Sequence, residues 1–113
     1  MTIHGIRNCD TMKKARAWLD ARGFAYDFHD YKTQGITEAM LRAWAQELGW
    51  RNVINQAGTT FRRLPKTDLE GLTEDRAIGL MLAHPSMIRR PILDLGPRRL
   101  AGFSPATYEA ALS

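Results

Sequence analysis

The sequence predicts an α/β protein in which the two ends of the chain form one mixed four-stranded sheet and the middle forms a helical insert. Three observations carry this prediction: strand-like alternation near both ends, helical periodicity through the middle, and a loop with the only cysteine between the first strand and the first helix. A chain of 113 residues is long enough for about one domain. We predict a single domain, 1–113, with the sheet at 1–33 and 87–113 and the insert at 34–86.

The first third of the sequence predicts a β-α-β unit. A short strand at 2–6 leads into a helix that starts at Asp10 or the next residue and runs to Arg22. Asp10 is the predicted N-cap, because its carboxylate can accept hydrogen bonds from the free N–H groups of the first turn, and Gly23 supplies a left-handed stop. The stretch 24–31, FAYDFHDY, has a period of two and predicts a second strand, joined to the first by a right-handed crossover.

The middle of the chain predicts helices. Thr37 caps a predicted helix that Gly49 closes, and Thr73 caps a second one that ends before Pro85. The polar segment 55–66 between them has no clear periodicity and is predicted to be irregular. We therefore expect the insert to be mostly helical, without a strong strand.

The C-terminal stretch returns to strands. The apolar run 91–95, a turn at Gly96 and the run 98–103 predict a β-hairpin. Ser104 followed by Pro105 is an N-cap with proline at the first helical position, which opens a terminal helix. The order β-α-β, helical insert, β-β-α is the plan of a thioredoxin-like fold with an insertion.

Composition and charge exclude several classes of protein. The net charge is +4, with sixteen Lys and Arg against twelve acidic residues, which permits binding to anions without requiring it. The basic pairs are dispersed and no helix-turn-helix signature is present, so we expect no direct contact with nucleic acid. No apolar run approaches the roughly 20 residues that span a bilayer, so we expect no membrane association. A single cysteine and the absence of a signal-peptide pattern predict a reducing, cytoplasmic location.

Metal and nucleotide sites are not predicted. The three histidines, His4, His29 and His84, are scattered and lack the spacing of zinc ligands. No glycine-rich phosphate loop of the Walker or dinucleotide type is present. We therefore expect neither a bound metal nor a bound cofactor.

The single cysteine, Cys9, lies in the loop before the first helix. Free N–H groups and the positive end of the helix dipole stabilise a thiolate at that position, so its pKa should fall below the free value of about 8.5. Arg7 and two nearby lysines add to this effect, whereas Asp10 opposes it. The alternative, a buried cysteine that acts as a small apolar residue, is disfavoured by the polar neighbours Asn8 and Asp10. A thiolate beside an anion site is typical of redox or thiol-transfer chemistry.

The number of cysteines limits the chemistry that Cys9 can complete. Met12 occupies the position at which a C-x-x-C motif would have its second cysteine, and the chain has no other thiol. A mixed disulfide on Cys9 must therefore be released by an outside thiol, most simply glutathione. Glutathione would then be a co-substrate rather than a bound cofactor.

Several segments carry a resemblance to a known family: GIRNCDTMKKARAWL, FHDY, ELGW, INQAGTTFRRL and RRPIL…LAGFSP. In order and spacing they resemble the ArsC/Spx family of arsenate reductase-like proteins, most of all its YffB-type branch, over essentially the whole chain. The resemblance implies a thioredoxin-like fold with a helical insert and makes Cys9 the reactive thiol. It also implies that Arg90 provides an anion contact beside Cys9 and that the bond between Arg90 and Pro91 is cis.

Three positions depart from the arsenate reductase pattern that the resemblance suggests. Asn55 and Gly102 stand where two of three oxyanion-binding arginines are expected, and Gly5 stands where a histidine is expected. Arg62 could supply one of the missing charges from the insert. Each lost charge-assisted contact removes about 1.5–3 kcal/mol of binding free energy, so efficient arsenate reduction is not expected.

The leading interpretation is a glutathione-dependent thiol/disulfide reductase, an activity attributed to the YffB-type branch. The Cys9 thiolate would attack a disulfide or glutathionylated substrate. Asn8, Thr11 and the helix-start amides would stabilise the thiolate and position the substrate, and Arg90 would bind a carboxylate. Two alternatives stay open: an arsenate reductase that uses glutathione and a glutaredoxin, and an Spx-like redox-responsive regulator that binds RNA polymerase. Spx regulators often have a C-x-x-C switch, which Met12 removes here.

Overall fold

The computed structural model describes residues 1–112 and divides them into two compact units. The first unit contains Met1–Gln34 and the chain from Arg90 onward, and the second contains Gly35–Arg89. The strands of the described chain all belong to the first unit. The second unit consists of helices and turns, with one isolated β-bridge between Ile54 and Ile88.

A mixed four-stranded sheet organises the first unit. Its strands, numbered in chain order, are β1 (Thr2–Gly5), β2 (Asp27–Asp30), β3 (Ile92–Asp94) and β4 (Arg99–Ala101). They lie in the order β2-β1-β3-β4. β2 runs parallel to β1, with Ile3 opposite Phe28, whereas β3 runs antiparallel to both β1 and β4, with Ile3 opposite Leu93. The parallel strands β1 and β2 are joined by a helical crossover and the antiparallel strands β3 and β4 by a short turn, so the sheet confirms the predicted α/β class.

The first helix, α1, spans Asp10–Ala21, and its N-cap is Cys9 rather than the predicted Asp10. Cys9 has extended backbone angles (φ −132°, ψ 130°), and its carbonyl already accepts the Lys13 N–H at 2.9 Å. Asp10 is therefore the first helical residue, where its carboxylate lies near the positive end of the helix dipole. The predicted stop is confirmed, because Gly23 has φ 74°, a left-handed conformation that favours glycine.

The second strand is shorter than its alternating pattern predicts. Only Asp27–Asp30 pairs with β1, and Tyr31 already begins a short helix, α2 (Tyr31–Gln34). The chain turns at Asp30, whose Oδ1 accepts the Lys32 N–H at 2.8 Å. The Lys32 N–H therefore bonds to a nearby side chain instead of a neighbouring strand. As a result, the alternating sequence pattern extends beyond the residues that pair with β1.

The core of the first unit draws on α1, on the strands and on the C-terminal helix. Its buried members are Ile3, Met12, Ala15, Trp18, Leu19, Leu93 and Tyr108. Phe24 and Tyr26 pack against this cluster although they lie outside β2. The period-two pattern of that stretch therefore identified a buried face correctly even where no ladder forms.

The second unit has helices joined by short turns. In chain order they are α3 (Glu38–Leu48), α4 (Trp50–Val53), α5 (Thr59–Arg62), α6 (Lys66–Glu70), α7 (Glu74–Ala83) and a 3₁₀ turn (Pro85–Met87). The two predicted caps are confirmed. Thr37 Oγ1 accepts the Met40 N–H at 3.2 Å, and Thr73 Oγ1 accepts the Arg76 N–H at 3.3 Å.

The segment 55–66 is less irregular than predicted. It contains α5, and α6 begins at its last residue. Helices of four and five residues are too short to display a 3.6-residue period. Within α5 only Phe61 is buried, so one anchor replaces the apolar stripe by which longer helices are recognised.

The C-terminal elements agree with their prediction. β3 and β4 pair as an antiparallel hairpin, with Leu93 opposite Leu100. Ser104 Oγ accepts the Thr107 N–H at 3.1 Å, and Pro105 is the first residue of α8 (Pro105–Leu112). Among residues 1–112, no helix combines the length and the apolar character that crossing a bilayer requires.

Position 5 favours glycine because the end of the buried Met12 side chain fills the space beside it. A Cβ on Gly5 would lie 2.7 Å from Met12 Cε and closer still to its sulfur, and Met12 is fully buried. We expect Gly5→Ala to lower the free energy of unfolding by about 1–3 kcal/mol through overpacking, as measured by urea denaturation.

The matched control for this substitution is Gly79→Ala, in the interior of α7. A Cβ on Gly79 meets no atom within 4 Å. Alanine there should raise the free energy of unfolding by about 0.5–1 kcal/mol, because it is the better helix former. A decrease in the free energy of unfolding for Gly5→Ala and an increase for Gly79→Ala would support the packing of Met12 on Gly5. An increase for Gly5→Ala would contradict it.

Candidate active site

Cys9 lies in the loop that follows β1, at the N-cap position of α1, with its side chain half-buried. Burial by itself raises the pKa of the Cys9 thiol, because it disfavours the charged form. The N–H of Met12, the hydrogen bond and charge of Arg90, and the N–H of Thr11 act in the opposite direction and outweigh burial. The pKa of Cys9 therefore lies below its ordinary value, and this environment favours the thiolate.

The helix amides act on the sulfur without a capping bond of standard geometry. As the N-cap residue, Cys9 forms no side-chain capping hydrogen bond to α1, yet the N–H groups of Met12 and Thr11 lower its pKa. Sulfur is a weak and large acceptor. The amides thus act mainly as aligned N–H dipoles that attract a negative charge.

Arg90 supplies the positive charge beside the thiol. It precedes Pro91, and the peptide bond between them is cis. The carbonyl of Pro91 accepts the Gly102 N–H at 2.8 Å, which fastens this segment to the hairpin of β3 and β4. A guanidinium carried by this anchored backbone lies within hydrogen-bonding reach of Cys9 and favours the charged sulfur.

Tyr31 belongs to the surroundings of Arg90, although the sequence did not indicate it. It follows β2 directly and is only 1% exposed. Burial raises the pKa of its phenol, and the nearby charge of Arg90 acts in the opposite direction. The available sequence signal was its position: Asp30 pairs with Gly5, so the next residue lies at the same edge of the sheet as the cysteine loop.

The other predicted site residues lie in different units. Thr11 acts on Cys9 through its N–H, and Asn8 is exposed and lines a cavity in the first unit. Arg62 is the last residue of α5 in the second unit. Its part in an anion site stays a prediction.

An open cavity of about 410 Å³ adjoins the cysteine loop, and its lining belongs entirely to the first unit. Most lining residues are charged or polar: Ile6, Arg7, Asn8, Asp30, Lys32 and Thr33. Asn8 precedes Cys9 in the chain, so the cavity begins one residue from the thiol. The sequence did not indicate Asp30 or Lys32, because only the parallel pairing of β2 with β1 brings them to this edge.

Two of the three histidines lie next to each other in the sheet. Among residues 1–112, no group of three or more His, Cys, Asp or Glu side chains is arranged to hold a metal ion. His4 and His29 lie on the neighbouring strands β1 and β2, with their ring centroids 4.9 Å apart. The charge of His29 is one cause of the lowered pKa of His4.

His4 makes the folded protein sensitive to acid. It is 7% exposed. Burial and the charge of His29 lower its pKa from 6.5 to about 4, Asp94 opposes this shift, and Arg99 adds to it. Below pH 6.5 the unfolded chain binds a proton that the folded chain takes up only near pH 4, so stability falls as the pH falls. We expect urea denaturation to show a loss of up to about 3 kcal/mol from this group between neutral pH and pH 4.

Two variants separate His4 from the other titrating groups. His4→Phe keeps an aromatic ring on β1 but cannot bind a proton, so it should flatten the acidic limb of the stability curve by this amount. His84→Gln changes an exposed histidine and should leave the limb unchanged. Equal slopes for His4→Phe and the wild-type protein would refute the assignment.

Two of the three positions that depart from the arsenate reductase pattern are constrained locally. Gly5 has no room for a side chain because of Met12. Gly102 has φ 78°, a left-handed conformation that disfavours arginine, and its N–H is held by Pro91. Asn55 lies in the second unit. An arginine at position 102 would therefore require a different backbone.

A mixed sheet interrupted by a helical unit, with a cysteine at the N-cap of the first helix, defines a thioredoxin-like protein with an insertion. A model of the ArsC family matches residues 4–111. The chain therefore belongs to the ArsC family, which confirms the resemblance to the ArsC/Spx proteins.

Solved structures agree with this assignment. The structure of a YffB protein superposes with a TM-score of 0.94 and 57% identity, over 99% of this chain and 98% of that one. An arsenate reductase (ArsC) related protein from Brucella melitensis has a TM-score of 0.82 and 48% identity, over 96% of this chain and 91% of that one. The likeness to the YffB type is therefore confirmed as well.

Sequence relatives include proteins of two descriptions. An uncharacterized protein of Haemophilus influenzae is 33% identical over 113 residues, which cover 100% of this chain and 99% of that protein. A global transcriptional regulator Spx of Streptococcus pyogenes is 31% identical over 115 residues, which cover 100% of this chain and 85% of the regulator.

Proposed function

We propose that this chain is a glutathione-dependent thiol/disulfide reductase that works through Cys9 alone. The observation that carries the proposal is a half-buried thiol of lowered pKa beside Arg90, in a chain with no second cysteine. Such a thiol is an activated nucleophile, but it needs an outside thiol to complete a reaction cycle. A reducing compartment such as the cytoplasm would supply that thiol.

The proposed cycle has two exchange steps. The Cys9 thiolate attacks the glutathionyl sulfur of a mixed disulfide, a new S–S bond forms on Cys9, and the substrate leaves as a thiolate that takes up a proton. The thiolate of a second glutathione then attacks the glutathionyl sulfur on Cys9. Glutathione disulfide leaves, Cys9 returns as a thiolate, and the two electrons that reduce the substrate come from glutathione.

Arg90 has a different partner at each stage of this cycle. In the resting protein it stabilises the Cys9 thiolate. Once Cys9 carries a glutathionyl group the sulfur is neutral, and the guanidinium can bind a carboxylate of that group. The amides of Met12 and Thr11 then stabilise the same thiolate when it leaves in the second step.

Arsenate reduction is less well supported by the same residues. Arsenate would need several cations at once, and Gly102 and Asn55 supply none at two of the positions that the family pattern suggests. A regulatory role, suggested by the relatives named Spx, would require partner binding that does not depend on Cys9 turnover. Arsenate reduction and a regulatory role each predict a result that differs from that of a glutathione-dependent reductase.

The test is the rate of Cys9 alkylation by iodoacetamide between pH 4 and 9, followed by intact mass measurement with glutathione disulfide. We expect the midpoint of the rate profile below pH 7, formation of one glutathionyl adduct, and its release by added glutathione. A midpoint near the free value of about 8.5 with no adduct would refute the proposal and favour a regulator. A thiol with a low pKa that forms no glutathionyl adduct, but reacts with arsenate, would favour an arsenate reductase.

A further inference from the structure

The cavity beside the cysteine loop lies where α/β folds place ligands. It adjoins the carboxyl ends of the parallel strands β1 and β2, where Gly5 pairs with Asp30. Crevices at the carboxyl edge of parallel strands are the usual binding positions in such sheets. The described interactions of Cys9 are with Arg90, Met12 and Thr11, and none of these residues is in the cavity lining, so they do not explain why this cavity is charged.

The charges of the cavity have an unusual arrangement. Asp30 is 6% exposed and is held from two sides, since its Oδ1 accepts the Lys32 N–H at 2.8 Å and its N–H donates to Gln34 Oε1 at 2.9 Å. Arg7 and Lys32, also in the lining, are exposed. The cavity therefore presents a nearly buried carboxylate, held by a hydrogen bond, together with two exposed cations.

We propose that this cavity binds the amino-acid end of a γ-glutamyl thiol, with the α-ammonium at Asp30 and the α-carboxylate at Arg7 and Lys32. The inference rests on the proposed function and assigns the γ-glutamyl end of glutathione, which lies away from its sulfur. At neutral pH this end has one ammonium and one carboxylate, which complement the carboxylate and the two cations of the cavity. The second carboxylate of glutathione, on its glycine, is left for Arg90.

The distances along the chain allow both ends of the ligand to be held at once. Arg7 is two residues before Cys9, and each Cα step is about 3.8 Å, so their Cα atoms are at most about 8 Å apart. A tripeptide-sized ligand spans at most about 10 Å when extended. A glutathionyl group on Cys9 is therefore long enough to reach Arg7 in the cavity lining.

Asp30 also makes the cavity selective. A simple oxyanion would be attracted by Arg7 and Lys32 but repelled by the nearby carboxylate, which cannot move away. A zwitterion satisfies all three groups. The cavity should therefore distinguish glutathione from inorganic phosphate and from a glutathione analogue that lacks the α-amino group.

Binding can be measured without any thiol chemistry. The protein carries Cys9→Ser, the probe is S-methylglutathione, and the readout is its Kd from an NMR titration. We expect the same probe without the α-amino group to bind at least roughly tenfold more weakly, and Asp30→Asn to remove this difference. Arg7→Gln and Lys32→Gln should each weaken binding of the complete probe about tenfold, whereas Arg98→Gln, an exposed arginine outside the cavity, should not.

The outcomes separate this inference from the proposed function. If both probes bind the Cys9→Ser protein equally, or if Arg98→Gln weakens binding as much as Lys32→Gln, the assignment of the cavity is wrong even when the wild-type protein reduces glutathionylated substrates. If the probes bind with the expected pattern but the wild-type protein forms no adduct, the cavity is a γ-glutamyl site and the proposed reductase cycle fails. Asn at position 30 keeps the oxygen that accepts the Lys32 N–H, and the two exposed cations test the site should Asp30→Asn misfold.

Discussion

Cys9→Ser should remove thiol/disulfide reductase activity, by at least about a thousandfold in kcat/KM for a glutathionylated peptide. The reason is chemical, because a serine hydroxyl is not ionised at neutral pH and neither forms nor releases a mixed disulfide. The chain has no other thiol that could take over. Activity is measured as oxidation of NADPH through glutathione reductase, which consumes the glutathione disulfide that each cycle releases.

The same substitution provides its own test of folding. Cys9 is the N-cap of α1 and forms no side-chain capping bond, whereas serine is among the best N-cap residues. The variant should therefore be as stable as the wild-type protein or about 0.5–1 kcal/mol more stable. Loss of activity together with retained stability identifies a nucleophile. Retained activity would refute the reductase proposal, and partner capture by the Cys9→Ser protein would then be the informative experiment.

Arg90→Met should slow Cys9 alkylation at acidic and neutral pH by about 10- to 100-fold. Arg90 stabilises the thiolate through a hydrogen bond and its charge, and an interaction of about 1.5–3 kcal/mol corresponds to about one to two pKa units. Its removal raises the pKa of the thiol, so a smaller fraction is ionised below that pKa. Above it both proteins are fully ionised, and their rate profiles should converge.

Two further arginine variants control this experiment. Arg90→Lys keeps the charge but not the fork of donors, so its profile should lie between those of the wild-type protein and Arg90→Met. Arg89→Met changes the neighbouring, exposed arginine and should leave the profile in place. If Arg90→Met gave the wild-type profile, the low pKa would have to come from the amides of α1 alone, and the proposed role of Arg90 would be wrong.

Much of the fold could be predicted because its elements have strong local signals. These signals are strand alternation, helical periodicity and the helix caps at Thr37, Thr73 and Ser104. Each of them comes from residues that are close together in the sequence. The errors lie at the ends of elements, where cap geometry and local side-chain hydrogen bonds decide the boundary. Cys9 rather than Asp10 became the N-cap, and a side-chain hydrogen bond to Asp30 ended β2 early.

The candidate site was less accessible to sequence reasoning. Cys9 could be located from its place before a helix, but Arg90 could be placed only through the family resemblance, since most of the chain separates the two residues. Asp30 and Lys32 were not identified, although the predicted parallel β-α-β unit already places the end of its second strand beside the cysteine loop. The parallel register of β1 and β2 brings them beside the cysteine loop, and their spacing in the sequence has no signature of its own.

The edges of the sheet bear on how the protein behaves at high concentration. Its outer strands, β2 and β4, contain four and three residues, and they begin with Asp27 and Arg99 respectively. An exposed strand edge can pair with a strand of another chain. A short edge offers few hydrogen bonds for this pairing, and its charged residues would have to lose water. Aggregation by edge-to-edge growth of this sheet is therefore disfavoured.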